Sequence, residues 1–582
     1  MSKKAKKKNI KEVVVTANRK KPARKKSFLF LILALAAITI VCFIPLFKNT
    51  FTNWDDEFYV VNNALLRGPD WGGIFSRSVV SNYHPLTVLS LAINYGISGT
   101  EAWSYLLFNL LLHIVNVILV FRFIYAIADK NKGAAFFTAL IFAIHPMHVE
   151  SVAWISERKD VLYTLFFLMA LMQYWKFLQS GKQRSLWLCF LFFIFSLLSK
   201  PAAIVLPLVL FLLDYRKQRP FSKKLIWEKM PFFLIAGLFT VITLKLQSAT
   251  AITSLDVYPI WARLFFACYV IMIYILRFFV PYPLSSFHPF PAPGDLGWSV
   301  YISPVFVLLL LFLIWRFRKN RILVFGSLFF LVNILLVLQL ISIGFTIVSE
   351  RYTYVPYIGL GFLVAMFVTK YVSERTGKAI RVVAALLFFV FGFLSFQRIK
   401  VWKDSDTLWS NALERYPDAS MARGMRAQYV YNKAILMKPE EAASLFQRVI
   451  EDCSVSINST VGDDSTKKAD RSMYYMRANA YSSLKQYDKA LEDFDRCISI
   501  NANDDEVHYL RGSLFVNNYK KYNEALADFT KAIQVNPRGK YFLNRSICYY
   551  KMGDIVNAKA DAQTASQTGA AIPANYKQAL GL

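Results

Sequence analysis

The chain reads as all-α: a polytopic membrane helical bundle followed by a solenoid of paired helices. Three observations predict this. Apolar runs recur from Ser27 to Phe396, many close to the roughly 20 residues that cross a bilayer. Apolar residues make up 55% of the chain and aromatics 16%, more than a water-soluble core calls for. From Ala419 onward the long runs stop and a motif returns every 34 residues, the mark of stacked helix pairs.

In chain order, residues 1–26 form a basic tail too polar to fold, expected on the cytoplasmic side. Ser27–Phe47 is longer than a signal-peptide core and lacks a small-x-small cleavage site, so it reads as a retained anchor. Further runs lie near 102–127, 133–148, 159–178, 185–198, 201–215, 230–246, 259–281, 300–315, 322–344, 356–372 and 380–397. They give a membrane domain over 27–397 with about 11 to 13 spans. The net charge of +30 is gathered in the tail and in short breaks such as Arg216–Lys229, Arg316–Arg321 and Lys370–Arg381. That is the distribution of cytoplasmic loops, and it argues against a nucleic-acid partner. Three apolar runs separate the breaks at 216–229 and 316–321. An odd number cannot return the chain to the same side, so either one of them does not cross or the run near Trp261–Pro283 is split. The repeats then fall outside, and the lysine-rich leader points to a bacterial inner membrane.

On this topology the outer loop 48–101, the segment Pro146–Asp160, the turn at Lys200 and the segment around Glu350-Arg351 share one face. Ionisable groups are costly at membrane depth, so their convergence at helix ends marks a site facing water or headgroups. The six cysteines show no Cys-x-x-Cys spacing, and nothing in their placement requires a disulfide.

Residues 398–418 read as a linker and 419–582 as the repeat domain. Arg477-Ala478, Arg511-Gly512 and Arg545-Ser546 recur, each followed by an aromatic at Tyr481, Phe515 or Tyr549. An alanine-led second helix follows at Ala490, Ala525 and Ala558, and Met421–Asp452 reads as a degenerate first unit. The pattern resembles the tetratricopeptide repeat. Such arrays present a curved surface suited to extended peptides; the alternative is a cap that stabilises the membrane domain.

An ordered set of motifs carries a wider resemblance: Trp54-Asp55-Asp56, Tyr83-His84-Pro85, Asn109 with His113 and Asn116, His145-Pro-Met-His148-Val-Glu150, Ser199-Lys200-Pro201 and Glu350-Arg351-Tyr-Thr-Tyr-Val-Pro356. Together they resemble the transmembrane and tetratricopeptide-repeat O-mannosyltransferase family, glycosyltransferases of the GT-C type, and its bacterial relatives. The resemblance implies transfer of a sugar from a polyprenyl-phosphate monosaccharide to a hydroxyl acceptor, protein Ser or Thr by analogy, on the outer face. The repeats would help to hold a protein or peptide acceptor.

The chemistry needs a carboxylate to take the acceptor's proton, and Asp55 or Asp56 fits; the sequence does not choose between them. It also needs cations for the leaving lipid phosphate, and Arg158, Lys159, Lys200 and Arg351 are the candidates. His84, His145, His148, Glu150 and Glu350 are candidate substrate-binding residues. His145 and His148 have a spacing that Pro146 disturbs and no evident third ligand, so no metal is expected, and no cofactor. The stripe Asn109, His113 and Asn116 is assigned to hydrogen bonds between helices. Two other readings compete. A non-catalytic anchored scaffold would need no acids and bases gathered on one face, and a lipid-linked glycan transporter would place its charges mid-membrane in paired halves.

Overall fold

The computed structural model describes residues 22–68, 70–248, 258–291, 294, 296–341, 344–371, 377–458 and 471–582. Most of the basic tail expected over 1–26 lies outside the described residues. The described elements are helices, with one isolated pairing of Val79 with Asn82. Two compact units form: Met1–His288 with Leu296–Leu408, and Pro289–Asp295 with Trp409–Leu582.

Among the described residues of the first unit seven helices are long and apolar enough to cross a membrane: Ser27–Lys48, Trp103–Ile127, Ile155–Ser180, Lys223–Gln247, Ile260–Phe279, Trp298–Arg316 and Val382–Val401. The bent pair Lys132–Ile144 and Pro146–Ala153, turned by 60°, makes an eighth if it counts as one span. Pro85–Ser98, Gln183–Ser199, Arg321–Val337 and Tyr357–Lys370 are shorter apolar helices. Full-length spans are thus fewer than the apolar runs in the sequence. Pro85–Ser98 places an apolar helix inside the outer loop expected over 48–101, with Val88 and Leu91 buried.

Proline does much of the breaking. The residue before a proline is pushed toward extended backbone. His145 (φ −73°, ψ 128°) precedes Pro146 and Lys200 (φ −157°, ψ 128°) precedes Pro201. Both helices stop there and leave a polar side chain at their end. The polar stripe on Trp103–Ile127 bonds carbonyls along the interrupted stretch that follows it: Ala143 at the Pro146 break, Val152 and Trp154 where Val149–Ala153 ends, and Val161 in the next helix. Asn109 Nδ2 donates to Val152 O (3.1 Å) and Trp154 O (3.2 Å), and Asn116 Nδ2 donates to Val161 O (2.8 Å). His113 Nε2 lies 3.1 Å from Ala143 O, and Nδ1 lies 2.7 Å from the Tyr354 hydroxyl. Broken backbone survives inside a bundle only when such partners exist.

The basic breaks meet at the bundle's other end. Lys132 Nζ donates to Ser27 Oγ (3.1 Å), Arg216 pairs with Asp129 (2.9 Å), and Asn131 Nδ2 donates to Thr369 Oγ1 (3.4 Å). Tyr215 donates to Arg318 O (3.3 Å) while Arg321 donates back to Tyr215 O (3.3 Å). The breaks near 216 and 318 therefore share one end, as their charge requires. The odd run between them is Ile260–Phe279. Gln247, closing the preceding span, donates to Asn82 Oδ1 in the first loop (3.2 Å). Ile260–Phe279 finishes at that end too: Phe278 O lies 3.1 Å from His145 Nε2, and the Tyr274 hydroxyl donates to Ser349 O (3.0 Å).

In the second unit four helix pairs stack: Ser420–Ala434 with Pro439–Asn458, Arg471–Ser483 with Tyr487–Ile500, Asp505–Leu514 with Tyr522–Val535, and Gly539–Lys551 with Ile555–Gln567. Ala574–Leu580 closes the array, burying Leu580. The degenerate first unit is a full pair. The segment expected as a linker is itself helical at Ser405–Arg415. Small residues are needed where the helices touch: a Cβ at Gly512 would stand 2.9 Å from the Phe529 ring. The recurring arginine makes a two-pronged bond to an aspartate on the second helix of its own pair. Arg426 grips Asp452, Arg477 grips Asp493, Arg511 grips Asp528, and Arg545 grips Asp561. Its remaining Nη1 reaches the helix before, at Ser410, Ser454, Asp495 and Thr530 respectively. One side chain thus sets both the pairing and the stacking register.

Replacing Arg511 with Ala leaves buried Asp528 without its strongest partner. A loss of about 2 kcal/mol is expected, read as a lower denaturation midpoint of the full chain with helical content retained under native conditions.

Candidate active site

The helix Arg158–Ser180 opens with cations at its first positions, where the helix dipole disfavours positive charge. Carboxylates supply the compensation. Glu157, at the helix N-cap, is a hub with 1% of its side chain exposed: Oε1 lies 3.2 Å from Lys159 Nζ and 3.1 Å from Arg351 Nε, and Oε2 lies 3.4 Å from Lys200 Nζ. Each cation has a second carboxylate: Asp55 for Lys159 (3.6 Å), Asp160 for Lys200 (2.5 Å) and Glu150 for Arg351 (2.5 Å). The three cations remain 10%, 17% and 13% exposed. They form a largely buried rim over Glu157, Asp160 and Glu150, whose side chains are more deeply buried still. An ammonium carries three hydrogens and a guanidinium five, so each cation keeps donors beyond its two carboxylates.

The two first-loop aspartates take different places. Asp56 is buried and accepts four hydrogen bonds: from Thr52 N (2.9 Å), Thr52 Oγ1 (3.0 Å), Ser156 N (2.9 Å) and the Ser156 hydroxyl. Burial pushes its carboxyl up to about 6, while these bonds pull the other way. It fastens the first loop to the segment ahead of Glu157. Asp55 is 23% exposed, and the ion pair with Lys159 is its contact within the cluster. The loop carrying both is held from behind: Thr50 N donates to Lys403 O (2.7 Å), Asn49 Nδ2 to Ile399 O (3.0 Å), and Asn53 N to Ser405 Oγ (2.8 Å). A tryptophan stack fills the gap, Trp54 on Trp154 (4.6 Å) and Trp154 on Trp402 (5.3 Å), with the Arg351 guanidinium 5.3 Å from the Trp154 ring.

Among the other sequence candidates, His84 lies beside the rim. Its ring stacks on Tyr59, over which Lys159 also sits. Burial, and then Lys159 and Lys200, push it down to about 3, so it is a neutral imidazole, and its Nε2 is buried without a hydrogen-bond partner. Lys159, Lys200, Arg351, Asp55 and His84 are thus brought together. Arg158 is not in that group. It points against Trp103–Ile127 and Pro85–Ser98, bonded to Asn109 Oδ1, Tyr105 O and Ser90 Oγ (3.4 Å), with its guanidinium 4.6 Å from the Phe108 ring. His145 and His148 are buried with ring nitrogens on Phe278 O and Phe142 O. Both ring nitrogens of His145 are used, since Nδ1 also accepts from Met147 N. Glu150 accepts from the backbone of Glu350 and Arg351 and pairs with the Arg351 side chain. Glu350 pairs with Arg398 (2.8 Å), and burial raises its carboxyl above the ordinary range. These two acids anchor the Arg351 segment rather than face outward.

Glu157 and Asp160 join the cluster although neither is among the candidates drawn from the sequence. Their signal lay in the order Glu-Arg-Lys-Asp at the start of an apolar helix, where cations sit at the unfavourable pole. As chemistry, the arrangement offers an accessible carboxylate beside three cations with donors to spare, and a neutral imidazole next to them. It can take a proton at Asp55 and hold an anion at Lys159, Lys200 and Arg351.

Residues 84–244 match the family described as dolichyl-phosphate-mannose-protein mannosyltransferase, and residues 472–504 match the tetratricopeptide repeat. The chain is similar to Protein O-mannosyl-transferase TMTC1 of Mus musculus, at 33% identity over 159 residues, covering 25% of this chain and 17% of that protein. It is similar to Protein O-mannosyl-transferase TMTC2 of the same organism, at 41% over 107 residues, covering 18% and 13%. The longest of these alignments is to Protein O-mannosyl-transferase F38B6.6 of Caenorhabditis elegans, at 23% over 411 residues, covering 66% and 58%. The chain spans less than two thirds of the length of each. Over these stretches the chain is similar to protein O-mannosyltransferases.

Asp56→Ala removes the acceptor of four hydrogen bonds. The expected result is faster proteolysis of the first loop and a lower melting temperature in detergent, whereas Asp55→Ala leaves both near wild type.

Proposed function

We propose that the chain is a membrane glycosyltransferase that moves a sugar, mannose by kinship, from a polyprenyl phosphate to a hydroxyl of a protein Ser or Thr. The observation that carries this reading is Asp55, partly exposed and 3.6 Å from Lys159, at the edge of a three-cation rim. In the reaction the acceptor oxygen attacks the sugar's C1 while Asp55 takes its proton. The bond from C1 to the phosphate oxygen breaks on the opposite face, and the lipid phosphate leaves with the electron pair. Lys159, Lys200 and Arg351 donate hydrogen bonds to it as its charge grows, which lowers the barrier without a metal's help. Arginine suits a bidentate phosphate contact. His84, neutral and with Nε2 unpartnered, supplies a hydrogen bond to sugar or acceptor.

The site is assigned to the extracytoplasmic face because it lies at the end of the bundle opposite the clustered basic breaks. The repeats are assigned to acceptor binding.

Two measurements test this. Membranes carrying the wild-type chain should transfer labelled mannose from polyprenyl-phosphate mannose to protein, and Asp55→Asn should lower the rate by a factor of about 100 to 10,000 at equal expression. Undiminished transfer in Asp55→Asn would remove the base. An impermeant maleimide on intact cells should label Ser81→Cys and spare Lys319→Cys; the reverse pattern would invert the topology.

A further inference from the structure

We infer that Glu157 is a positioning residue for the donor phosphate: one buried carboxylate that gathers Lys159, Lys200 and Arg351 from three separate segments into a single anion-binding rim. The inference rests on the proposed phosphate role of those cations and goes beyond it by naming what sets their spacing.

Lys159 comes from the first turn of Arg158–Ser180, Lys200 from the extended residue after Gln183–Ser199, and Arg351 from the short helix Glu350–Thr353. Nothing in their own backbones aims them at one another, and like charges so close repel. Among the described residues Glu157 is the one carboxylate that contacts all three, at 3.2, 3.4 and 3.1 Å. Their other carboxylates pull in different directions. Asp55 lies in the first loop, Asp160 one helical turn further along, and Glu150 on the helix Val149–Ala153. Without Glu157 each cation would follow its private partner and the rim would open. The exposures agree with a template underneath rather than a ligand on top: 1% for Glu157 against 10 to 17% for the cations. Glu157 therefore acts through the cations and does not touch the sugar or the acceptor.

The test uses the full chain in lipid nanodiscs and two readouts. The first is binding of farnesyl phosphate, a soluble-enough prenyl phosphate without a sugar, and the second is donor and acceptor KM in mannose transfer. Glu157→Gln keeps the shape but removes the charge. It should weaken farnesyl phosphate binding and raise donor KM by about tenfold or more, the scale expected for losing a buried charged partner. Acceptor KM should stay unchanged. Glu157→Asp keeps the charge on a shorter stem and should recover most of the binding. Should Glu157→Gln fail to fold, the Asp variant alone decides: binding between wild type and none, with a wild-type melting temperature, supports the template. Farnesyl phosphate binding undiminished in Glu157→Gln would overturn the inference, as would equal rises in donor and acceptor KM. Failure of the transfer reaction itself shows separately, as wild-type chain that binds farnesyl phosphate but moves no mannose. Wild-type chain that does not bind farnesyl phosphate sinks the inference outright.

Discussion

Charge removed from water must find opposite charge, and at one end of this bundle that requirement is met through a single carboxylate. Glu157 joins three cations that three segments deliver separately. Removing one partner of a buried pair costs several kcal/mol, so these segments are not free to drift apart once Glu157 is in place. The first loop is drawn into the same cluster twice. Asp55 joins through Lys159, and Asp56 joins through Ser156, the residue next to the hub. The geometry of the site is therefore a consequence of charge balance among packed helix ends.

The helix ends are brought there by backbone chemistry. Prolines at 146 and 201 stop two helices and leave His145 and Lys200 in extended conformation. Breaking a helix inside a membrane protein exposes carbonyls; His113 meets Ala143 O at the Pro146 break, Asn109 meets Val152 O where the next short helix ends, and Thr87 meets Ser199 O at the Pro201 break. Polar residues that look out of place in an apolar run are the condition for the breaks, and the breaks are the condition for the site.

Some of this could be read from residue order and some could not. The membrane class, the repeats and the convergence of charged segments follow from periodicity and from where lysine and arginine fall. The repeat arginines were visible at 34-residue spacing. Their aspartate partners were not, because the partner lies on the other helix of each pair, at intervals of 16, 17 and 26 residues. The two first-loop aspartates are neighbours in sequence, and only the fold separates them: one side chain turns inward to four donors and the other stays at the rim. Arg158 and Lys159 are likewise adjacent, yet a helix sends consecutive side chains about 100° apart. One enters the helix packing and the other the cluster. His145, His148 and Glu150 read as candidates because polar residues in apolar surroundings call for a purpose; in the fold the two histidines bond backbone carbonyls and Glu150 seats Arg351.

The charge inventory of the cluster also bears on how the proposed reaction would proceed. Asp55, Glu157, Asp160 and Glu150 face Lys159, Lys200 and Arg351, so carboxylates outnumber cations before any phosphate arrives. An incoming phosphate adds negative charge and competes with a carboxylate for each cation it meets. The weakest of the contacts is the longest and most exposed, Lys159 with Asp55 at 3.6 Å. It is the pair that a phosphate breaks most readily, because solvent already screens it. Lys159 stays tethered to Glu157 when that happens, while Asp55 is released from its ion pair. On the proposed reading, donor binding thus arms the base: the cation that receives the phosphate is the one that had been holding the carboxylate. An acceptor hydroxyl arriving first would meet an aspartate still paired, which favours an order in which the lipid-linked sugar binds before the protein.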